Sequence, residues 1–168
     1  LVGHIRIQDP EFSMDPSIEK RITTPDEIKD ILSRNLPVRS RVTERVKVDA
    51  MLSTSREHLG VMMVGIDPDE EEGVSFIADS VVEGRMIKAD EKNGLLVGKA
   101  LADRIGAELG RKVVLMSRSS QHGNESRAFR IRGIYKTELA ATEKLYVFVP
   151  LASLQQMLGI GNGVTELA

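Results

Sequence analysis

Residues 93–106 read NGLLVGKALADRIG. A glycine, a short apolar run and Gly98-Lys99 at the start of an amphipathic stretch look like a phosphate-binding loop opening a helix. Spacing decides against it. Such a loop needs four residues between its glycines and then Lys followed by Ser or Thr, so that backbone N–H groups wrap a phosphate and a hydroxyl meets magnesium. Here three residues separate Gly94 from Gly98, and Lys99 is followed by Ala100. What remains is punctuation between two elements. Gly94 turns the chain, residues 94–98 form a short buried strand, and Gly98 admits close packing of the next helix. That helix runs from Lys99 to Ile105, with Gly106 as its left-handed cap. The unit places strand and helix in one fold and leaves the most suggestive motif without a nucleotide.

The same reading extends outward. Val2 to Ile7 alternates as a strand, and residues 9–23 are a polar loop. Thr24-Pro25-Asp26-Glu27 starts a helix, with Thr24 as cap, Pro25 in the first turn and Glu27 completing a capping box. Ile28, Ile31, Leu32 and Leu36 share one face, and Pro37 stops the helix near Asn35. Over residues 38–53 the period changes to two. Val42, Val46, Val48, Ala50 and Leu52 face in, while Arg41, Thr43, Arg45, Lys47 and Asp49 face out. With the apolar strand 59–66 they make a long hairpin. The acidic run DPDEEE, 67–72, reads as a solvated helix start, where carboxylates suit the dipole. Strands follow at 113–116 and 129–135, joined by the polar loop 117–126. Leu145 to Val149 is a strand. Pro150 opens a helix with Leu151, Leu154, Met157 and Leu158 on one face and Gly159 at its end. A last strand covers 164–167.

Composition narrows the function. The chain has 168 residues, enough for one domain or two small subdomains. Net charge is −2 and aromatic content 4 %, so neither phosphate attraction nor base stacking favours nucleic acid. Cysteine is absent, which excludes thiol catalysis, disulfides and cysteine-bound metals. No apolar run is long enough to span a bilayer. The sequence begins LVGHIRI and ends GVTELA; both ends read as cut, so a segment of a longer protein is expected.

Candidate chemistry is sparse. His4, His58 and His122 have no neighbour at a ligand spacing, and no serine sits in a GxSxG elbow. Met51, Met62, Met63 and Met116 read as core or strand-face residues, with a soft-metal cluster as the alternative. The expectation is no catalytic residue, no metal and no cofactor. Two basic groupings remain. One is Arg34, Arg39, Arg41, Arg45 and Lys47; the other is Arg118, Arg127, Arg130 and Arg132, flanking the loop 117–126. Both solvate outer faces in the simpler reading. Contact with a partner or a lipid headgroup is the sharper one.

An ordered series of segments is more specific than any of these. Gly65-Ile66-Asp67-Pro68 is followed by Glu83-Gly84-Arg85 and LLVGKALADRIGAELG, 95–110. Then come FRIRGIYKT, 129–137, YVFVPLASLQQMLG, 146–159, and GVTEL, 163–167. The series resembles the MacB-like periplasmic core domain of ABC-transporter permeases, which includes lipoprotein-releasing and FtsX-like proteins. GHIRI, 3–7, is similar to the strand after the first membrane helix of such permeases.

The resemblance covers roughly residues 3–168 and implies the following. The fold is α+β and elongated. A porter-like β-α-β part spans 1–56, with 163–168 returning to it, and a sabre-like α+β subdomain is inserted at 57–162. Gly84 and Gly133 permit tight turns, and the second porter unit is truncated, leaving an open sheet edge. The domain lies outside the membrane as part of an inner-membrane protein. It is no enzyme; it couples ATP-driven motion to handling of a lipoprotein, another amphipathic substrate or a partner. Regulation of a cell-wall hydrolase, as in FtsX-like proteins, is the alternative. Partners would be the parent transmembrane helices, a cytoplasmic ATPase, a second permease copy and a periplasmic carrier protein. Arg127 matches an arginine at the foot of a chaperone-binding hairpin in lipoprotein-releasing relatives, although 117–126 is short and lacks their proline. Arg127, on that likeness, and Arg118, from the basic grouping around the same hairpin, are the partner-contact candidates. A soluble enzyme fragment is the rival from another class and predicts a pocket with clustered ionisable groups.

Overall fold

In the computed structural model, which describes residues 5–14, 17–37 and 39–168, the alternating strand and the apolar strand after it become the hairpin on which other strands are laid. β2 (Glu44–Ser53) pairs antiparallel with β3 (His58–Ile66), and the 56/57 boundary falls in the turn between them. β3 lies parallel to β8 (Tyr146–Pro150), and β8 antiparallel to β5 (Gly94–Gly98). β5 is parallel to β7 (Gly123–Tyr135), which pairs antiparallel with β6 (Lys112–Ser119). β6 then returns to β2, setting Val114–Ser117 against Ala50–Ser53. Six strands thus close a ring, β2-β3-β8-β5-β7-β6. β4 (Val81–Gly84) adds to β7 outside it. At the start of β2, β9 (Glu166–Leu167) pairs with Glu44 and Arg45, and β1 (Ile7–Gln8) pairs with β9.

The inward residues of the ring make the main core. Val46, Leu52, Met63, Leu95, Val97, Leu115, Phe129 and Val147 are fully buried there. α5 (Leu151–Leu158) inserts Leu154 and Leu158 among them. Gly65 lets it approach: a Cβ there would stand 3.1 Å from Leu154 Cδ2. A second core lies on the outer side of β3, β8, β5 and β7. Val64, Ile66, Leu96, Tyr135 and Phe148 are covered there by Ile77 and Ile87. Ile77 belongs to a 3₁₀ turn, Phe76–Asp79. Burial pushes the Tyr135 hydroxyl up, and its O–H donates to the carbonyls of Tyr146 (2.8 Å) and Thr142. α1 (Pro25–Asn35) packs lightly; Leu32 is half-buried and Ile31, expected on its inner face, is 60 % exposed.

The 93–106 stretch forms β5 and α3 (Lys99–Ile105), and Gly106 takes the left-handed conformation at φ 59°. The start of α3 already holds an anion of the protein's own. Glu143, in α4 (Ala140–Leu145), accepts a hydrogen bond from Ala100 N at 3.1 Å and another from Thr137 N at 2.7 Å. Gly98 makes room for it, since a Cβ would lie 2.1 Å from the Glu143 carbonyl oxygen. Gly84 and Gly133, expected in tight turns, instead sit opposite each other where β4 meets β7. The backbones come so close there that a Cβ on Gly84 would fall 2.2 Å from Arg132 O.

The largest departure concerns Arg45, expected on a solvated strand face. It is 1 % exposed. Its Nη2 donates to Glu71 Oε2 at 2.9 Å and its Nη1 to Glu166 Oε1 at 3.1 Å. Lys47 Nζ reaches Glu166 Oε2 at 2.8 Å, so two cations balance two carboxylates. Burial opposes the Arg45 charge, but the hydrogen bonds it donates to Glu71 and Glu166, with the charges of those carboxylates, outweigh that and raise its pKa. Thr43 and Thr165 are buried beside the network. The acidic run accordingly is not all solvated: α2 (Pro68–Glu71) turns Glu71 wholly inward.

Other expectations also change. The region 117–126 is not a loop, because β6 and β7 stay paired to Ser119 and Gly123. Thr24 makes no side-chain capping bond. The first strand is reduced to Ile7–Gln8; Val2 and His4 lie outside the described residues.

Three outcomes follow. Arg45→Ala leaves two buried carboxylates short of their cation and should cost about 3–5 kcal/mol, read from urea unfolding. Gly98→Ala should lower stability by about 1–3 kcal/mol or more through backbone overpacking, whereas Gly106→Ala meets open space and should cost only the strain of a left-handed non-glycine residue, about 1–2 kcal/mol. Glu91 gives a pH effect. Burial disfavours its charge, but hydrogen bonds from Arg85 and Arg132 prevail and hold its carboxyl below the usual range. Its contribution is complete above the unfolded value of about 4.3 and disappears as pH falls through the lower folded value. Glu91→Gln should flatten the acid limb of a stability–pH curve and leave an unaltered limb only if those bonds are absent.

Candidate partner-binding site

The two arginines sit on the β6–β7 hairpin, and strand alternation separates them. Arg118 pairs with Asn124 across the ladder, and Arg127 with Leu115. Leu115 points into the core, so Arg127 shares the inner face while Arg118 takes the outer one. The structure does not bring the pair together.

Arg127 is half-buried and occupied. Its Nη1 donates to the Ser153 carbonyl at 3.1 Å and to Ser153 Oγ at 2.9 Å, fastening β7 to α5. Ser153 Oγ in turn donates to Lys92 O. The hairpin tip is fastened beside it. Ser119 Oγ donates to Leu158 O at 3.1 Å, and Gln121 Nε2 to Gly159 O at 3.0 Å. These bonds satisfy carbonyls that a helix leaves orphaned at its C-terminal end. A small notch of about 180 Å³ remains between His122, Glu125, Arg127 and Gln156. The 119–127 region is therefore an anchored tip. Sequence gave no sign of this, since the partners are backbone carbonyls and one serine.

The neighbouring arginines are likewise held. Arg132 and Arg85 both bind Glu91, and Arg130 Nη1 donates to Gly110 O at 2.6 Å. In the first grouping Arg45 and Lys47 turn inward, and Arg41 donates to Glu72 O. Arg34, Arg39 and Arg118 differ from these: all three are exposed and have no ion pair among the described residues. Arg118 is the one of them on the hairpin. It borders an open groove of about 540 Å³ on the outer sheet face, alongside Asp49, Met51, Met116 and Leu145. Met51 and Met116, read as core or face residues, are face residues at 38 % and 39 % exposure; Met63 is core. Alternation could have found this, because Met51 lies between the inward Ala50 and Leu52.

A second cavity, about 400 Å³, lies between α1 and the approach to β2, lined by Ile7, Leu32, Leu36, Val42 and Leu167, with Arg39 and Arg41 beside them. Among the described residues no three His, Cys, Asp or Glu side chains stand together as a metal site. His58 lies on β3, with Nδ1 2.9 Å from Ser53 Oγ. Among the described residues, too, no helix is long and apolar enough to cross a membrane.

This architecture has solved counterparts. The chain superposes on the periplasmic region of MacB from Actinobacillus actinomycetemcomitans with a TM-score of 0.66 and 15 % identity, over 96 % of this chain and 71 % of that one. The extracellular domain of the noncanonic ABC-type transporter YknZ from Gram-positive bacteria gives 0.62 and 16 %, over 97 % and 81 %. Both share the mixed α+β fold. No curated protein matches in sequence. The sequence does match the family described as MacB-like periplasmic core domain, over residues 2–167. The chain therefore belongs to the MacB-like periplasmic core domains and is an extracytoplasmic domain of an ABC-transporter permease.

Proposed function

We propose that the domain is a binding and coupling module, not an enzyme. It relays ATP-driven motion of the membrane part to a lipoprotein or other amphipathic substrate outside, or to a protein that carries it. Its partners in this reading are the parent transmembrane helices, a cytoplasmic ATPase, a second permease copy and a periplasmic carrier. The 1–56 and 57–162 parts act as the porter-like and sabre-like halves.

The observation that carries the reading is the bonding of β2. One end, at Glu44 and Arg45, is bonded to β9 and through it to β1. The other, at Ala50 to Ser53, is bonded to β6. Those ends stand about 20 Å apart at roughly 3.3 Å per residue. A push on the β1–β9 side is thus delivered to the β6–β7 hairpin through one buried strand, and Arg127 passes it to α5. Packed elements of this kind move as units.

The test uses the assembled permease and ATPase in proteoliposomes, with release of a bound lipoprotein and ATP hydrolysis measured together. Arg127→Ala should lower release per ATP by severing the hairpin from α5. Arg118→Glu should reduce release to an acceptor carrier with hydrolysis intact. Unchanged release and hydrolysis in both folded variants would sink the coupling role. Loss of cell-wall hydrolase activation instead, with release intact, would select the FtsX-like branch.

A further inference from the structure

The ring of strands has an outer side, and only part of it is covered. Over β3, β8, β5 and β7 the segment 76–87 lies on top and buries Tyr135 and Phe148. Across β2 and β6, among the described residues, no segment lies over Met51, Val114 and Met116 to bury them. Met51 and Met116 face each other directly across that pair, and Val114 stands opposite Ser53, two residues along β6. All three are more than a third exposed. Leu145 adds to the same groove. Gly60 sits opposite Met51 on β3 and leaves a slot beside it, since a Cβ there would meet nothing within 4 Å. A contiguous apolar strip of this kind on a soluble face marks an interaction surface, and thioether side chains adapt to what they meet.

Charge specifies the occupant. On β6 the strip is bracketed by Lys112 at one end and Arg118 at the other, and Arg130 lies opposite Lys112 on β7. Beside Arg118 the groove is lined by one carboxylate, Asp49. The whole chain is the reverse, with 23 basic and 25 acidic residues. The face is therefore locally cationic on an acidic protein.

Hydrogen bonding specifies the occupant's backbone. Over Val114–Ser117, β6 is paired on both sides, with β7 and with β2. No main-chain donors or acceptors are left there for an added strand, so a partner must bring its backbone already satisfied, as a helix does. From Lys112 to Arg118 is about 20 Å at roughly 3.3 Å per residue, the length of about thirteen helical residues at 1.5 Å each.

We propose that this bare outer face, centred on Met51 and Met116, docks an acidic amphipathic helix of a partner protein. The helix lays an apolar stripe over Met51, Met116 and Val114 and turns carboxylates to Lys112 and Arg118. The proposal rests on the reading of this domain as a partner-handling module and names the chemistry of the partner.

The probe is a synthetic peptide of about sixteen residues, with Leu at helical i, i+3, i+4, i+7 spacing and Glu elsewhere. A twin carries Lys in place of Glu. The 168-residue chain is labelled at its methionine ε-methyl groups and followed by NMR. The Glu peptide should shift Met51 and Met116 and leave the buried Met63 and Met157 in place. The Lys peptide should shift none. Arg118→Glu should weaken the Glu peptide about tenfold, equivalent to about 1.4 kcal/mol, with unaltered thermal unfolding. Met51→Ser with Met116→Ser should abolish binding.

Silent Met51 and Met116 signals would overturn the proposal, as would equal shifts with both peptides. Shifts that grow with protein concentration alone would assign the face to a second copy, and shifts seen only with anionic vesicles would assign it to a membrane; either overturns it. The double Met variant is also placed in the permease. Normal lipoprotein release from that variant would reject this docking face while leaving the coupling role standing. Loss of the coupling role is read separately from Arg127→Ala, on the opposite side of the hairpin.

Discussion

One buried guanidinium holds the arrangement together. Arg45 lies near the start of β2, where the strand leaves solvent. It joins three pieces of chain that are far apart in sequence: β2 itself, the turn at Glu71 and the final strand at Glu166. An isolated charge in that position would be prohibitive. Two carboxylates and Lys47 compensate it, and two threonines crowd the same site. Such a cluster contributes little net stability against a hydrophobic replacement, but it tolerates no missing member. It therefore acts as a register lock: β9 can lie beside β2 only where Glu166 meets Arg45. The closing strand, the hairpin ring and the acidic turn all take their positions from it.

The same economy governs the start of α3. A helix N-terminus attracts an anion, and here the anion is Glu143 from α4, brought in through the gap left by Gly98. Internal carboxylates thus settle both sites that looked most suggestive of ligand chemistry, the glycine-lysine turn and the basic strand. Glu91 does likewise for Arg85 and Arg132. Charges that ordinarily advertise a surface function are consumed inside the fold. What stays open is the apolar face of Met51 and Met116 with cations at its edges, and the cavity beside α1 that Arg39 and Arg41 flank.

Much of this was legible in residue order. Period-two alternation gave β2 and a continuous apolar run gave β3, Pro150 and Gly159 bounded α5, and Gly106 capped α3 in the left-handed region that glycine favours. The ordered segments pointed to the family. Other features were not legible, for physical reasons. Alternation assigns Arg45 to the face opposite Val46, but it carries no information on what covers that face; α2 and β9 do so from 26 and 121 residues away. Residues 117–126 look like a loop because their side chains are polar, yet their backbones pair and the tip bonds α5 carbonyls. Arg127 was selected by likeness and Arg118 by charge, and nothing local said that they would point to opposite sides. Ring closure between β2 and β6 is a long-range pairing of four residues with no local signature.

The closed ring also limits how the domain can deform. An open sheet bends at its edges, because edge strands lack a partner on one side. Here β2 has β3 on one side throughout, and on the other β9 at its start and β6 at its end. A displacement at the Arg45 end cannot be absorbed by fraying there. It must move β6 or shear the Met51–Met116 pairing, and the long β6–β7 ladder resists shear. The exposed methionines consequently sit where motion arriving along β2 leaves the core, and a partner docked on them would feel it without any contact to the β1–β9 side.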